Sequence, residues 1–435
     1  MKLRITLCAL LAATPAYAQS PQTLTIEQAV AIALEQQPTL RQARAQVEAA
    51  RGRADAVKTG LRPQLSVSAG ADVSGGQGSD VRNLGYGLSL GASANWKITD
   101  FGQTRAQLRA AELGVDAAQA GTLINVLDVR TDVEITYLEA VARARLVAVA
   151  ETTVKSEETH LDQAKRFVAA QAKDPIEVVQ AQARAANAKA ALAQAQSSAA
   201  IALANLRSAI GWVDPRQTLA VGQSWPAAVA DAAPPALVAL VDTARSKRPE
   251  LVQLDKQVAA ADANIDVARM SKRPVLSASA RTTWSPGGSY AESPTSGAFV
   301  SDWDASHPSW SVGLTLSWLL YDGGRQAADV RVARANRESA LAQRDALLLS
   351  LTSQLDASRA QIEANRASIT ASTEAVQAAN AQLKLAEARY AQGLGSQIEL
   401  ADAQTAVTTA EGNLIQAEWQ LASAWASLRR AVGTP

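Results

Sequence analysis

The chain has 435 residues, 19 % of them charged and only 4 % aromatic, with 42 Lys and Arg against 41 Asp and Glu. A balance this even excludes a bulk electrostatic grip on nucleic acid, which needs a net basic surface. Ala, Gln, Arg and Glu predominate outside a few short insertions, a composition of long helices rather than of an ordinary globule. Residues 1–18 read as a secretory signal peptide: Lys2 and Arg4, then an apolar run over 5–13, then Ala16-Tyr17-Ala18 as a small-residue cleavage site. Its removal takes Lys and Arg from 42 to 40 against 41 acids, a net charge near −1. Cys8, the only cysteine, leaves with it, so the mature chain is expected to carry neither disulfide nor thiol. No later stretch approaches the roughly 20 apolar residues of a spanning helix. A secreted chain of this kind is periplasmic, released, or inserted in an outer membrane through β-strands.

Thr25 followed by Gln28 makes a capping box that opens a helix over 26–36, and Pro38 ends it. A second helix is predicted from about residue 40 to 59, stopped by Gly60 and Arg62-Pro63. The period then changes to two. Leu65, Val67, Ala69, Ala71 and Val73 alternate with small polar residues, and so do Leu84, Tyr86, Leu88, Leu90, Ala92, Ala94 and Trp96. These are two strands of a hairpin over about 64–97. Asp100-Phe101-Gly102 closes it, and a long helix follows from near 103 to near 172, with Val126, Val133, Ala140, Val147, Val154 and Leu161 seven apart. Pro175 starts a return helix that runs to Ile210 and stops at Gly211.

The same order recurs. Pro249 and Arg273-Pro274 match Pro38 and Arg62-Pro63 at an offset of 211, and Trp318, Asp322, Gly324 and Gly433 match Trp96, Asp100, Gly102 and Gly211 at 222. The first repeat is assigned to 19–211 and the second to 236–435, with a Pro- and Ala-rich linker over 212–235. The second hairpin spans about 275–321, with strands predicted over 276–284 and 310–320. The second long helix covers 326–392 and carries Leu341, Leu348, Leu355, Ile362, Ile369, Val376, Leu383 and Tyr390 at a strict spacing of seven. That repeat marks a helix that supercoils left-handedly around neighbours, and 67 residues of it rise about 100 Å. One large side chain every seven is too little for a globular core, so the helix needs partners.

The hairpins are the membrane candidates. Strands of about 9 to 11 residues with alternating faces suit a tilted outer-membrane strand, and Trp96, Trp284, Trp310, Trp318 and Tyr86 gather there as interface aromatics do. The plainer alternative is a small soluble sheet capping a coiled coil, in a secreted structural spacer or fibre. Four strands do not close a barrel, and an open edge is not tolerated in lipid. Two chains would supply eight strands and three would supply twelve.

In this order and these motifs the chain resembles the outer-membrane efflux family, the TolC-like channels. The matching features are the duplicated unit, Arg-Pro before the first strand of each hairpin, a Trp-x-x-x-Asp-x-Gly ending, and Arg389-Tyr390-Ala-Gln-Gly393 at a helix turn. The resemblance implies a mainly α chain with a transmembrane β part: a homotrimer with a twelve-stranded β-barrel in the outer membrane of a Gram-negative bacterium, four strands per chain, continued by a periplasmic α-helical barrel. The partners it implies are a periplasmic adaptor protein, an inner-membrane pump and outer-membrane lipid, and no nucleic acid. The implied role is the exit duct of a tripartite system for multidrug or small-molecule efflux or type I protein secretion.

Catalysis has no footing. His160 and His307 lie on different segments with no cysteine beside them, which makes neither a zinc site nor a Cys/His pair. Gly85, Gly87 and Gly91 miss the dinucleotide spacing. No enzyme activity, cofactor or metal is expected. The residues of interest lie at the helix turns. Glu399 and Asp402 are three apart, hence on one face of the opening turns of the last helix, and by spacing alone they complement its dipole. The resemblance instead places them at the constricted periplasmic entrance, where three-fold symmetry stacks two carboxylate rings. At about 6 Å a like-charged pair costs roughly 3 kcal/mol at an effective dielectric near 20, so such rings hold cations. It also places Glu177 at the corresponding position of the first half, bonded to Tyr390 on a neighbouring coil. Where the family often carries an Arg two residues past the turn glycine, this chain has Gly395, so that tie is expected to be missing. The first tip, Phe167-Val-Ala-Ala170, has no glycine and is one residue longer. Pro175, Gly393, Gly395 and Ser396 lie in the tips expected to meet adaptor helices.

Overall fold

The computed structural model describes residues 22–77, 82–213, 219–222, 225, 233–292, 299–304 and 307–434. The signal-peptide reading, Cys8 included, lies outside them, as does most of the linker. In order the elements are β1 (Gln22–Leu24), α1 (Ile26–Gln36), α2 (Pro38–Thr59), β2 (Gln64–Gln77), β3 (Arg82–Thr99), α3 (Gln103–Ala169), α4 (Ile176–Ile210) and β4 (Leu219–Val221). Then come α5 (Leu237–Lys247), α6 (Pro249–Met270), β5 (Val275–Trp284), β6 (Gly287–Glu292), β7 (Phe299–Asp304), β8 (Ser309–Ser317), α7 (Arg325–Ala391) and α8 (Gln397–Val432). The chain divides into two compact units.

One unit takes in the chain up to Arg41, Asn125–Arg248, and Leu351 onward. The seven-spaced residues do there what their period requires. In α7, Leu355, Ile362 and Tyr390 are at most 1 % exposed with Ile369, Val376 and Leu383 half-buried between them, and in α8 Leu400, Val407, Leu421 and Leu428 are buried. The small residues three positions on, Ala379 and Ala386, are buried as well, which lets helices approach closely. A second core joins Val133, Tyr137, Ala140 and Val141 of α3 to Ala29, Ala33 and Leu40 and to Leu206 and Ile210 of α4. The buried Tyr137 hydroxyl donates to the Leu24 carbonyl at 3.0 Å. The linker is better ordered at one point than its composition suggests. β4 pairs in parallel with β1, and Trp225 donates to Glu418 Oε2 at 2.8 Å under the Arg145 guanidinium. Gly211 and Gly433 end α4 and α8 in the left-handed region, at φ 84° and 79°. A Cβ on Gly433 would stand 2.9 Å from Arg248 Cα, and one on Gly211 3.3 Å from Gln37 Cα. Each glycine therefore seats the short turn before Pro249 or Pro38.

The other unit holds Gln42–Ile124 and Pro249–Ser350. Its sheet is antiparallel and four strands wide. β2 pairs with β3 (Leu65↔Ala94, Val73↔Tyr86), β3 with β5 (Ala94↔Ala280), and β5 with β8 (Ala280↔Val312). Directly paired residues share a face, so Leu65, Val67, Leu88, Trp96, Val312 and Leu314 stand on one side, all exposed. The opposite side is mostly Ser, Gly and Thr, with Asp72, Asn95, Lys97 and Arg281 among them. The second hairpin departs from expectation. β5 breaks at Ser285-Pro286 and resumes as β6 along the same β3 edge (Gly87↔Gly287), with β7 returning beside β6. Proline has no N–H for the ladder, and its carbonyl instead accepts from Leu88 N at 2.8 Å. β8 stops at Ser317, three residues short of the predicted end.

Each hairpin passes into its long helix through an aspartate. Asp100 accepts from the Gly102 and Thr104 backbone amides at 3.3 and 3.0 Å. Asp322 accepts from Gly324 and Gln326 at 3.0 and 2.8 Å, with Lys272 Nζ at 3.0 Å. The backbone bond from Gln326 leads in pushing the Asp322 carboxyl down to about 2. Arg344, a seam position by spacing, instead pairs with Asp255 of α6 at 2.6 Å.

Candidate gate at the paired helix tips

The two helical hairpins turn in the same way. Ala172 N bonds Phe167 O at 2.9 Å and Gln171 N bonds Val168 O at 3.0 Å, while Leu394 N bonds Arg389 O and Gly393 N bonds Tyr390 O, both at 3.0 Å. These are the paired bonds of a Schellman ending. It requires a left-handed residue, which is Gly393 at φ 74° in the second tip and Gln171 at φ 56° in the first. A non-glycine side chain there costs about 1 kcal/mol, so the first tip takes the glycine geometry without a glycine.

Two residues past the left-handed position stand Lys173 and Gly395. Lys173 Nζ donates to the Gly395 carbonyl at 3.0 Å, lies 3.3 Å from Glu177 Oε1, and sits 5.3 Å from the centre of the Tyr390 ring. The cation expected to be missing at Gly395 is thus supplied by the other tip, at the corresponding place. The two positions correspond at the offset of 222 that relates the repeats. Gly395 itself is buried, because a Cβ there would meet Tyr390 N at 3.0 Å and Arg389 C at 3.3 Å. Of the four residues expected to face an adaptor it is the covered one, while Pro175, Gly393 and Ser396 are exposed.

Tyr390 is 1 % exposed, packed edge-on against Phe167 at 5.6 Å and against Leu400 and Ala403. Its hydroxyl donates to Glu177 Oε2 at 3.1 Å. Burial first, then the Glu177 charge and hydrogen bond, push the phenol up to about 12, against a smaller opposing pull from Arg184. Ser396 caps α8, its hydroxyl accepting from Glu399 N at 3.1 Å. The Glu399 carboxylate takes Arg389 Nη1 at 2.9 Å, a partner the sequence reading did not foresee. Asp402 is exposed and has no ion pair among the described residues.

Farther from the turns, His160 and Glu157 of α3 are both 6 % exposed. Arg184 Nε of α4 lies 3.7 Å from Glu157, and Glu387 of α7 lies 3.9 Å from His160 Nε2. Burial raises the Glu157 carboxyl against the pull of Arg184. Burial first, then Arg184, lowers the His160 imidazole. His307 is exposed and distant in sequence, and no group of three His, Cys, Asp or Glu able to hold a metal occurs among the described residues. What the tip offers is ties and fixed charges, arranged around a turn.

The sequence profile of the family described as "Outer membrane efflux protein" matches residues 29–212 and 240–434. The chain belongs to that family. This outer membrane efflux protein is 28 % identical to the outer membrane protein OprJ of Pseudomonas aeruginosa, over 93 % of this chain and 83 % of OprJ. Its fold matches the outer membrane protein VceC of Vibrio cholerae with a TM-score of 0.72 and 20 % identity, over 94 % of this chain and 96 % of VceC. It matches the MtrE outer membrane channel of Neisseria gonorrhoeae with a TM-score of 0.72 and 21 % identity, over 94 % and 89 % of the two chains. The efflux protein is a channel of the outer membrane with a periplasmic extension, an exit duct and not an enzyme.

Proposed function

We propose that three copies of this chain close their sheets into a twelve-stranded barrel, and that the duct so formed is shut at the helix tips and engaged there by a periplasmic adaptor and an inner-membrane pump. The observation that carries the reading is the sheet: four strands wide at any level, with Leu65 81 % and Trp310 79 % exposed on one face and with β2 on one side and β7 and β8 on the other as unpaired edges. An apolar face of that kind needs lipid, and open edges need another copy of the chain. A secreted spacer or fibre has use for neither. We read residues 19–211 and 236–435 as the two repeats, joined through 212–235.

At the tips, Asp402 and Glu399 are the proposed lining of the entrance, and the Lys173–Glu177–Tyr390 set is the proposed bolt between the two helical hairpins of each chain. The adaptor's proposed landing is the exposed part of the turns, Pro175, Gly393 and Ser396, over the buried Gly395. The test is fractionation followed by mass measurement. The mature protein is expected with the outer membrane, released only by detergent, with three chains per particle. Recovery in the soluble fraction, or a monomer in detergent, would overturn the reading.

A further inference from the structure

Among the described residues, the polar face of the sheet carries one unneutralised positive charge in a field of hydroxyls and glycines. Ser66, Ser93, Arg281 and Ser311 form a single row across β2, β3, β5 and β8. Around Arg281 on that face lie Ser279 and Thr283 on its own strand, Gly91 and Asn95 on β3, and Ser309 and Gly313 on β8, none of them charged. Arg281 is exposed and makes no ion pair or hydrogen bond to any described residue, so its five N–H donors are free. The described acids on this face, Asp72 and Asp304, share the row of Gly87 and Gly287, six positions farther along. That is about 20 Å away. The cation toward the other end, Lys97, is already held by Thr104 Oγ1 at 3.2 Å and Asp100 at 3.5 Å.

A sheet with this division turns its Leu, Val and Trp face to lipid and its hydroxyl face to the water-filled interior. We propose that Arg281, one per chain, forms a positive girdle in the barrel lumen that concentrates anionic solutes, carboxylates, sulfonates and phosphates, on the exit path. The proposal rests on the barrel reading above. Low-dielectric walls focus the field of a fixed charge, and rings of Arg or Lys favour anions in pores. The girdle thus has the opposite sign to the acids proposed at the entrance.

The experiment measures the local potential. Ser279→Cys places a thiol two residues from Arg281 on the same face, about 7 Å away. Cys8 is the only other cysteine, and the parent protein serves as its control. The protein in outer-membrane vesicles is treated with an anionic thiosulfonate (sulfonatoethyl) and a cationic one (trimethylammonioethyl). Both are expected to react. The anionic-to-cationic rate ratio is expected to fall about fivefold at low salt when Arg281→Ser is added, to persist with Arg281→Lys, and to lose most of its salt-sensitive part near 1 M salt. A ratio unmoved by Arg281→Ser overturns the girdle. So does an unreactive Ser279→Cys beside a reactive Ala280→Cys, since the polar face would then not meet water. Protein recovered outside the membrane fails the barrel reading itself, an outcome separate from both.

Discussion

The Tyr390 hydroxyl donates to Glu177 Oε2 at 3.1 Å and so joins the last turn of α7 to the first turn of α4. The bond is half-buried, charge-assisted, and reinforced by Lys173, which touches both helical hairpins. A hydrogen bond to a charged group contributes about 1.5–3 kcal/mol. Tyr390→Phe keeps the ring against Phe167 and removes only the tie. Single-channel recording in planar bilayers is expected to show a larger or longer-lived open state, with unchanged assembly. The wild-type tie has a pH limit. Because the phenol is raised in the fold to about 12, its contribution is complete below the ordinary value near 10 and is lost as pH rises from about 10 through 12.

The acids of the second tip are not equivalent. Glu399 is compensated by Arg389, whereas Asp402 is exposed and unpaired among the described residues. Asp402→Ala is therefore expected to remove most of the cation preference and most of the block by multivalent cations from the periplasmic side. Glu399→Ala should do less and should also free Arg389. Reversal potentials in a salt gradient measure both. Equal and negligible effects would leave the acids as dipole complements worth a few tenths of a kcal/mol.

Acid should loosen the tip through His160. Burial and Arg184 hold its imidazole below the ordinary 6.5, so the stability it carries is complete above about 6.5 and is lost as pH falls below that value. Facing it are Glu157 on its own helix, Arg184 from α4 and Glu387 from α7, with Lys155 and Lys384 on the same groove. Glu157, raised by burial, works in the opposite sense. Limited proteolysis at the turns between pH 7.5 and 5 is expected to accelerate in the wild type. In His160→Gln that acceleration should be lost.

Ile362 lies at the wholly buried centre of the α7 ladder. Ile362→Asp puts a charge into a packed seam at a cost of several kcal/mol. The expected result is loss of detergent-stable assembled channel from the outer membrane, read by native electrophoresis. The same change at Leu349, 76 % exposed on the same helix, should be tolerated.

Gly433 joins a left-handed φ to a closed neighbour. Gly433→Ala adds the backbone strain, about 1–2 kcal/mol, to a Cβ 2.9 Å from Arg248 Cα. Thermal melting should show a larger loss than for Gly323→Ala, where φ is also positive but no atom stands within 4 Å.

Periodicity along one chain is a local property, and what depended on it was legible without coordinates. The spacing of seven over Leu341–Tyr390 places α7 and that over Val126–Leu161 places α3, Pro175 and Gly211 bound α4, and the change to two at Leu65 places β2 and β3, all to within a few residues, because each element sets one stripe or face apart from the other. The break at Pro286 is legible too, since proline cannot donate to a ladder. The duplication at offsets of 211 and 222 marked the tips. Beyond the Tyr390–Glu177 bond, which the resemblance implied and which is present at 3.1 Å, partner choice at those tips was not legible. That Lys173 reaches Gly395 from 222 positions away, that Arg389 takes Glu399 and leaves Asp402 free, and that Arg184 comes within 3.7 Å of Glu157 all depend on how four helices are rotated against one another. That rotation is set by the summed packing of every layer of the bundle, Leu355, Ile362, Leu400 and Val407 among them. No spacing within a single helix encodes it, so only the tertiary structure decided which charges meet.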